Sequence, residues 1–157
     1  MMIRLPRRRR DRSGGQALVE FSLVMIPFMI LLMGVFDLGR AIYMMNTTAE
    51  SAREIARVTA VHPWNSSKDL GSSTEAAAVI AAQRGLLPGM NFTPGTDITC
   101  VDINDTVMVD AQCSRTGSFV RVRVRSTFSP ITPLVMMFGS HTLEAYSRIE
   151  AVSKVDP

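Results

Sequence analysis

Apolar and polar positions change their spacing twice along this chain, and the changes divide it into three zones. From Phe21 to Phe36 sixteen residues carry no charge. Extended back to Ala17, the run ALVEFSLVMIPFMILLMGVF is about 20 residues, which as a helix rising about 1.5 Å per residue spans about 30 Å of hydrocarbon. A single transmembrane crossing is expected over about residues 17–36. Pro27 and Gly34 are tolerated in such a helix when neighbouring groups satisfy the freed backbone. The helical period then continues. Leu38, Ile42, Met45, Ala49, Ala52, Ala56 and Ala60 recur every three or four residues, with Glu50, Arg53, Glu54 and Arg57 opposite. One helix is therefore expected from about Ala17 to Val61, with the alanine stripe facing the chain's own head.

His62-Pro63-Trp64 ends that helix, because proline disfavours the helical region for its predecessor. A capping-box pattern, Ser72 with Glu75, then predicts a short helix through Gln83, with Gly85 as its C-terminal cap. Beyond Ile98 the period drops to two. Val120, Val122 and Val124 alternate with Arg121, Arg123 and Arg125, while Leu143, Ala145, Ile149 and Ala151 alternate with Glu144, Tyr146, Arg148 and Glu150. Both stretches predict half-buried strands, the arginines of one facing the glutamates of the other across an antiparallel sheet. Shorter strands are expected near Ile98–Ile103 and Thr106–Val109. The fold class is α+β: a long N-terminal transmembrane helix continuing into a head with a short helix and a small antiparallel sheet.

Charge alters the functional reading. The net charge of +3 is concentrated at the front, where Arg4, Arg7, Arg8, Arg9, Arg10 and Arg12 stand against one acid, Asp11. The remaining 11 basic and 13 acidic residues leave the body mildly acidic. A surface that tracks phosphate backbones is absent, so no nucleic-acid partner is expected. Arginines directly before a first span hold that end in the cytoplasm and place the chain beyond Asp37 outside. A secretory signal peptide begins in the same way, yet no A-x-A follows the apolar run in FDLGRAIYMM, and the run is longer than a typical signal core.

Glu20 stands out, because a carboxylate near a membrane span asks for a partner or a purpose. It lies five residues after Gly15 in Gly14-Gly15-Gln16-Ala17-Leu18-Val19-Glu20-Phe21. A cut after Gly15 would create an amine at Gln16, one helical turn away, able to neutralise Glu20 within a chain or between staggered chains. A residue that merely snorkels to the headgroups is the plainer reading of the same position.

A basic leader, a glycine, a glutamate at the fifth position after it and an apolar helix resemble the prepilin-peptidase substrates of type IV pilins. The stretch GGQALVEFSLVMIPFMILLMGVFDLGR, with Ala49-Glu50-Ser51-Ala52-Arg53-Glu54-Ile55-Ala56-Arg57, more closely resembles the TadE-like pseudopilins of the Flp, or tight-adherence, pilus system. Tyr146-Ser147-Arg148-Ile149-Glu150 is similar to that family's closing strand. The resemblance implies a pilin-like head. It also implies a division into a cleaved cytoplasmic leader at 1–15, a helix at 16–61 and an extracytoplasmic head at 62–157. Gly15 and Gln16 would then flank the processed bond, with Glu20 and Phe21 forming the registration pair. The implied partners are the membrane, a prepilin peptidase, other pilin subunits and the Tad secretion machinery, at the bacterial inner membrane. The sequence departs from the very short major pilins in its length and in having Glu-Phe rather than Glu-Tyr, which favours a minor subunit.

Cys100 and Cys113 fall on the expected outer side, where an oxidising compartment makes a disulfide the default. His62 and His141 offer no metal-ligand spacing with them. Asp97, Asp102, Asp105 and Asp110 do not match a calcium loop and read as turn and edge residues. No phosphate loop, nucleophile elbow or dinucleotide fingerprint occurs, so neither catalysis nor a cofactor is expected. The competing reading is an unprocessed, single-pass anchored binding module.

Overall fold

The computed structural model describes residues 13–64, 69–110, 113, 117–132, 136–137 and 139–152. Helix α1 runs unbroken from Ser13 to Val61, through Pro27. It is the one helix among the described residues long and apolar enough to cross a membrane, and no part of its most apolar window is buried by the rest of the chain. Residues 1–12 of the basic leader, Arg7, Arg8, Arg9, Arg10 and Arg12 included, lie outside the described residues.

Helix α2 (Thr74–Leu86) begins one residue later than the capping box suggested. The Ser73 hydroxyl, rather than that of Ser72, accepts from the Ala76 N–H at 3.1 Å, which satisfies one of the free donors at a helix start. Gly85 lies inside this helix, and Leu87 caps it in an extended conformation. The left-handed glycine expected there comes later, at Gly89, where a Cβ would stand 3.3 Å from the Thr127 carbonyl oxygen.

Two short strands, β1 (Met90–Asn91) and β2 (Ile98–Val101), flank a helical turn, α3 (Pro94–Asp97). The alternation that marks longer strands is absent from β1, and Thr93-Pro94-Gly95 reads as a plain turn. Strand β3 (Val107–Met108) comes next, and then the ten-residue strands β4 (Phe119–Phe128) and β5 (His141–Glu150). All pairings are antiparallel. β4 is central: β5 lies along its whole length, from Phe119 opposite Glu150 to Phe128 opposite His141. Its other edge is shared by β2, near Phe119–Val122, and β1, near Arg125–Ser126.

The core lies between this sheet and the second half of α1. Val120, Val122 and Val124 point inward against Ala52, Ile55, Ala56 and Ala60, with Leu87, Phe92 and Ile98 filling around them. Small alanines let the sheet approach the helix closely. The lower part of the expected stripe is corrected: Leu38, Ile42 and Met45 are exposed. At that level the face toward the head is one residue earlier in register, through Asp37, Ala41, Met44 and Thr48, and continues to Ser51. Several of its positions are polar, so an apolar-only search selects the neighbouring face.

Candidate functional site

The first turns of α1 carry the candidate processing site. Gly15 and Gln16 lie in the first described turn of α1, and open space surrounds the Gly15 α-carbon. Gln16, Glu20 and Phe21 are exposed. Gln16 and Glu20 share a face four residues apart, and the Gln16 amide Nε2 donates to Glu20 Oε1 at 3.2 Å. A break between Gly15 and Gln16 would place a new α-amine about 6 Å along the axis from Glu20, at about 1.5 Å per residue. The Ser22 hydroxyl is satisfied within the helix by the Leu18 carbonyl.

Where the apolar run ends, Asp37 provides a feature that no sequence motif marks. Its carboxylate is buried against the segment after β4 and accepts from the backbone N–H groups of Ile131, at 3.0 Å, and Thr132, at 2.7 Å. Arg40 pairs with it at 3.4 Å. Thr132 is the chief cause of a pKa lowered to about 2, through its side chain and its N–H; the Ile131 N–H and the Arg40 charge add to this, against the effect of desolvation. The Thr132 hydroxyl stands near the carboxylate without reaching good hydrogen-bond geometry.

Further along, Thr48 and Ser126 hydroxyls meet at 2.8 Å, the Ser51 hydroxyl donates to Gln83 Oε1 at 2.9 Å, and the Val152 N–H donates to the Ala60 carbonyl at 3.1 Å. The head is thus pinned along the helix from Asp37 to Ala60. An acid directly after an apolar run, in register with Thr48 and Ser51, was the available signal.

On the outer face of the sheet, Asp97 overturns the expected cross-strand pairing. Although Glu144 stands opposite Arg125 in the ladder, the carboxylate that binds the arginines is that of Asp97, whose side chain has no solvent exposure. It accepts from Arg123 Nη2 at 3.0 Å, from Arg125 Nη2 at 3.1 Å and from the Thr93 N–H at 2.8 Å. Burial raises its pKa, but the Thr93 N–H and the two guanidinium groups outweigh that and lower it overall. Asp97 in turn is the main cause of the raised Arg123 pKa, with Tyr146 second.

The other acids keep to turns and edges. Asp102 accepts from the N–H groups of Asn104 and Thr106, Asp105 pairs with Arg148 at 3.2 Å, and Asp110 accepts from the Leu70 N–H. Cys100 and Cys113 form a disulfide, with their α-carbons 5.5 Å apart. Among the described residues no group of three or more His, Cys, Asp or Glu side chains is placed to hold a metal ion.

The described residues thus place an exposed acid, Glu20, near the N-terminal end of α1 and a head fastened along the second half of the same helix. No curated protein and no solved structure matches this chain. The match that exists lies wholly within α1, beginning at Gly15 and ending at Arg57. Residues 15–57 match the family described as TadE-like protein, so the likeness covers the long helix and none of the head.

Proposed function

We propose that the chain is a minor pilin, or pseudopilin, of the Tad pilus, processed by a prepilin peptidase between Gly15 and Gln16. Residues 1–15 are the cytoplasmic leader, 16–61 the helix that crosses the inner membrane at about 17–36, and 62–157 the extracytoplasmic head. Its partners are the peptidase, other pilin subunits and the Tad secretion machinery. The observation that carries this reading is Glu20, exposed in an apolar helix and facing Gln16 at 3.2 Å, one turn from the proposed scissile bond. After the cut the amine replaces the amide as its partner, with a full charge in place of a dipole. That partner can equally come from an adjacent chain packed with a stagger. The arginine leader supports the orientation.

One observation favours the alternative, an unprocessed anchored module: in the uncut chain Glu20 already has a hydrogen-bond donor. Intact mass and N-terminal sequencing of membrane-extracted protein separate the two, made with and without a prepilin peptidase of proven activity. Processing predicts a peptidase-dependent product beginning at Gln16. A chain that keeps its arginines beside an active peptidase overturns the proposal. Glu20→Ala is expected to lower recovery of the processed chain with the pilus fraction.

A further inference from the structure

We propose that Ile131, Met136 and Met137, between β4 and β5, form a membrane-seating collar, which inserts these apolar side chains into the lipid interface where α1 leaves the bilayer. The inference rests on reading α1 as a membrane anchor and adds a second point of contact with the same bilayer.

Strand direction supplies the first observation. Along α1 the head is pinned at Ala60 by Val152, just after β5, at Thr48 by Ser126 in β4, and at Asp37 by Ile131 and Thr132. β4 therefore runs toward the N-terminal end of the helix and β5 runs away from it, so Ile131 and Thr132, just after β4, are the described residues of the head pinned nearest the apolar span. From Thr48 to Asp37 the helix descends about 16 Å at about 1.5 Å per residue. The pin at Asp37 comes directly after Phe36, at the edge of the charge-free run.

The second observation is what this segment exposes. Ile131 is 66% accessible, Met136 58% and Met137 84%. Met136 is tied one turn from the anchor, its N–H donating to the Thr132 carbonyl at 2.8 Å. Single exposed apolar residues are ordinary, whereas several large ones on a segment pinned at Asp37, whose helix neighbours Phe36 and Leu38 on either side are also exposed, mark an interaction surface. Methionine adapts to irregular apolar surroundings.

The third observation is charge. Arg40 lies over the Phe128 ring, 5.6 Å from its centroid, with its side chain about half exposed. It stands about 6 Å beyond Phe36 along α1, at about 1.5 Å per residue, near the level of the lipid headgroups once Phe36 is in hydrocarbon. Apolar groups below a cation is the order in which an interfacial element meets a bilayer. The occupant of this surface is therefore lipid, and the head rests on the membrane instead of standing off it.

The chain has one tryptophan, Trp64, packed against the core beyond the far end of the helix. The test uses the full chain with Trp64→Phe, reconstituted in phosphatidylcholine vesicles brominated near the top of the acyl chain. Met137→Trp and Met136→Trp each place an indole in the collar, while Leu31→Trp places one in the span. Bromine is expected to lower collar fluorescence by roughly half or more, as for groups held about 5–10 Å into the interface. The unaltered Trp64 chain is expected to show no such quenching.

Quenching in the span without quenching at either collar position overturns the collar and leaves the anchor intact. No quenching at Leu31→Trp overturns the anchor itself. A blue-shifted collar emission that bromine does not quench, and that reverses when the protein is diluted in lipid, assigns the surface to a second copy of the chain and also overturns the proposal.

Discussion

Removing the Asp97 carboxylate tests whether one buried acid organises the outer face of the sheet. In Asp97→Ala two guanidinium groups and the Thr93 N–H lose their acceptor together. Hydrogen bonds to charged groups contribute about 1.5–3 kcal/mol each, and an orphaned buried donor costs about 1–3 kcal/mol. These values do not add here, because the Arg123 and Arg125 side chains keep 38% and 29% exposure and water replaces part of what they lose. Breaking a fully buried pair costs about 3–5 kcal/mol; the partial exposure puts Asp97→Ala nearer about 3 kcal/mol.

Urea unfolding of the head in mild detergent, monitored by Trp64 fluorescence, measures this loss. With m of about 1–3 kcal/mol/M, the midpoint is expected to fall by about 1–3 M. A double-mutant cycle with Arg125→Met isolates the pair and should return a coupling of about 1–2 kcal/mol. The lowered carboxyl pKa sets the sign with pH. The stabilisation is fully present above the unfolded value of about 3.9 and fades as the pH drops below it. A midpoint within about 0.3 M of the parent, with m of this size, or a coupling near zero, would refute the assignment of Asp97 as the organising group.

Two further predictions concern the fastening of the head. Asp37→Ala should free the segment after β4, read as faster amide hydrogen exchange at Ile131 and Thr132 while the β4 core amides keep their protection. In the parent chain the Asp37 contribution should persist above pH 3.8 and disappear as the pH falls toward about 2, since the folded carboxyl is the stronger acid. Reducing the Cys100–Cys113 disulfide, which closes a separation of 13 residues, should destabilise the head by about 3 kcal/mol in urea titrations with and without reductant; an unchanged midpoint would show that the bridge does not restrain the unfolded chain.

Local physics made most of this protein readable from its sequence. An apolar stretch of membrane length admits one structure, because lipid offers the backbone no hydrogen bonds and a helix satisfies its own. Strict alternation in Val120–Arg125 and Leu143–Glu150 specifies strands with two unlike faces, the inner one buried in β4 and partly buried in β5, since the side-chain period of a strand is two. Glu20 stands out for the same reason, since a carboxylate beside an apolar helix is conspicuous without any tertiary contact; Gly15, Gln16 and Phe21 are singled out by the resemblance to TadE-like pseudopilins. Short elements escaped, because two residues at Met90–Asn91 and one turn at Pro94–Asp97 hold no repeating pattern. Their pairing with β4 and the Asp97 ion pairs make them regular.

What the tertiary structure alone decided is which partner each polar group takes. Asp37 and Asp97 are ordinary exposed acids on paper, and each becomes buried only because residues about 94 and 26 positions away bring donors to it. The same holds for the face that α1 presents to the head. Leu38, Ile42 and Met45 form the more apolar stripe, yet Asp37, Thr48 and Ser51 turn inward, because the donors and acceptors that satisfy them lie on the sheet, on α2 and on the segment after β4. A helical period fixes which residues share a face; which face is buried depends on what the rest of the chain sets against it.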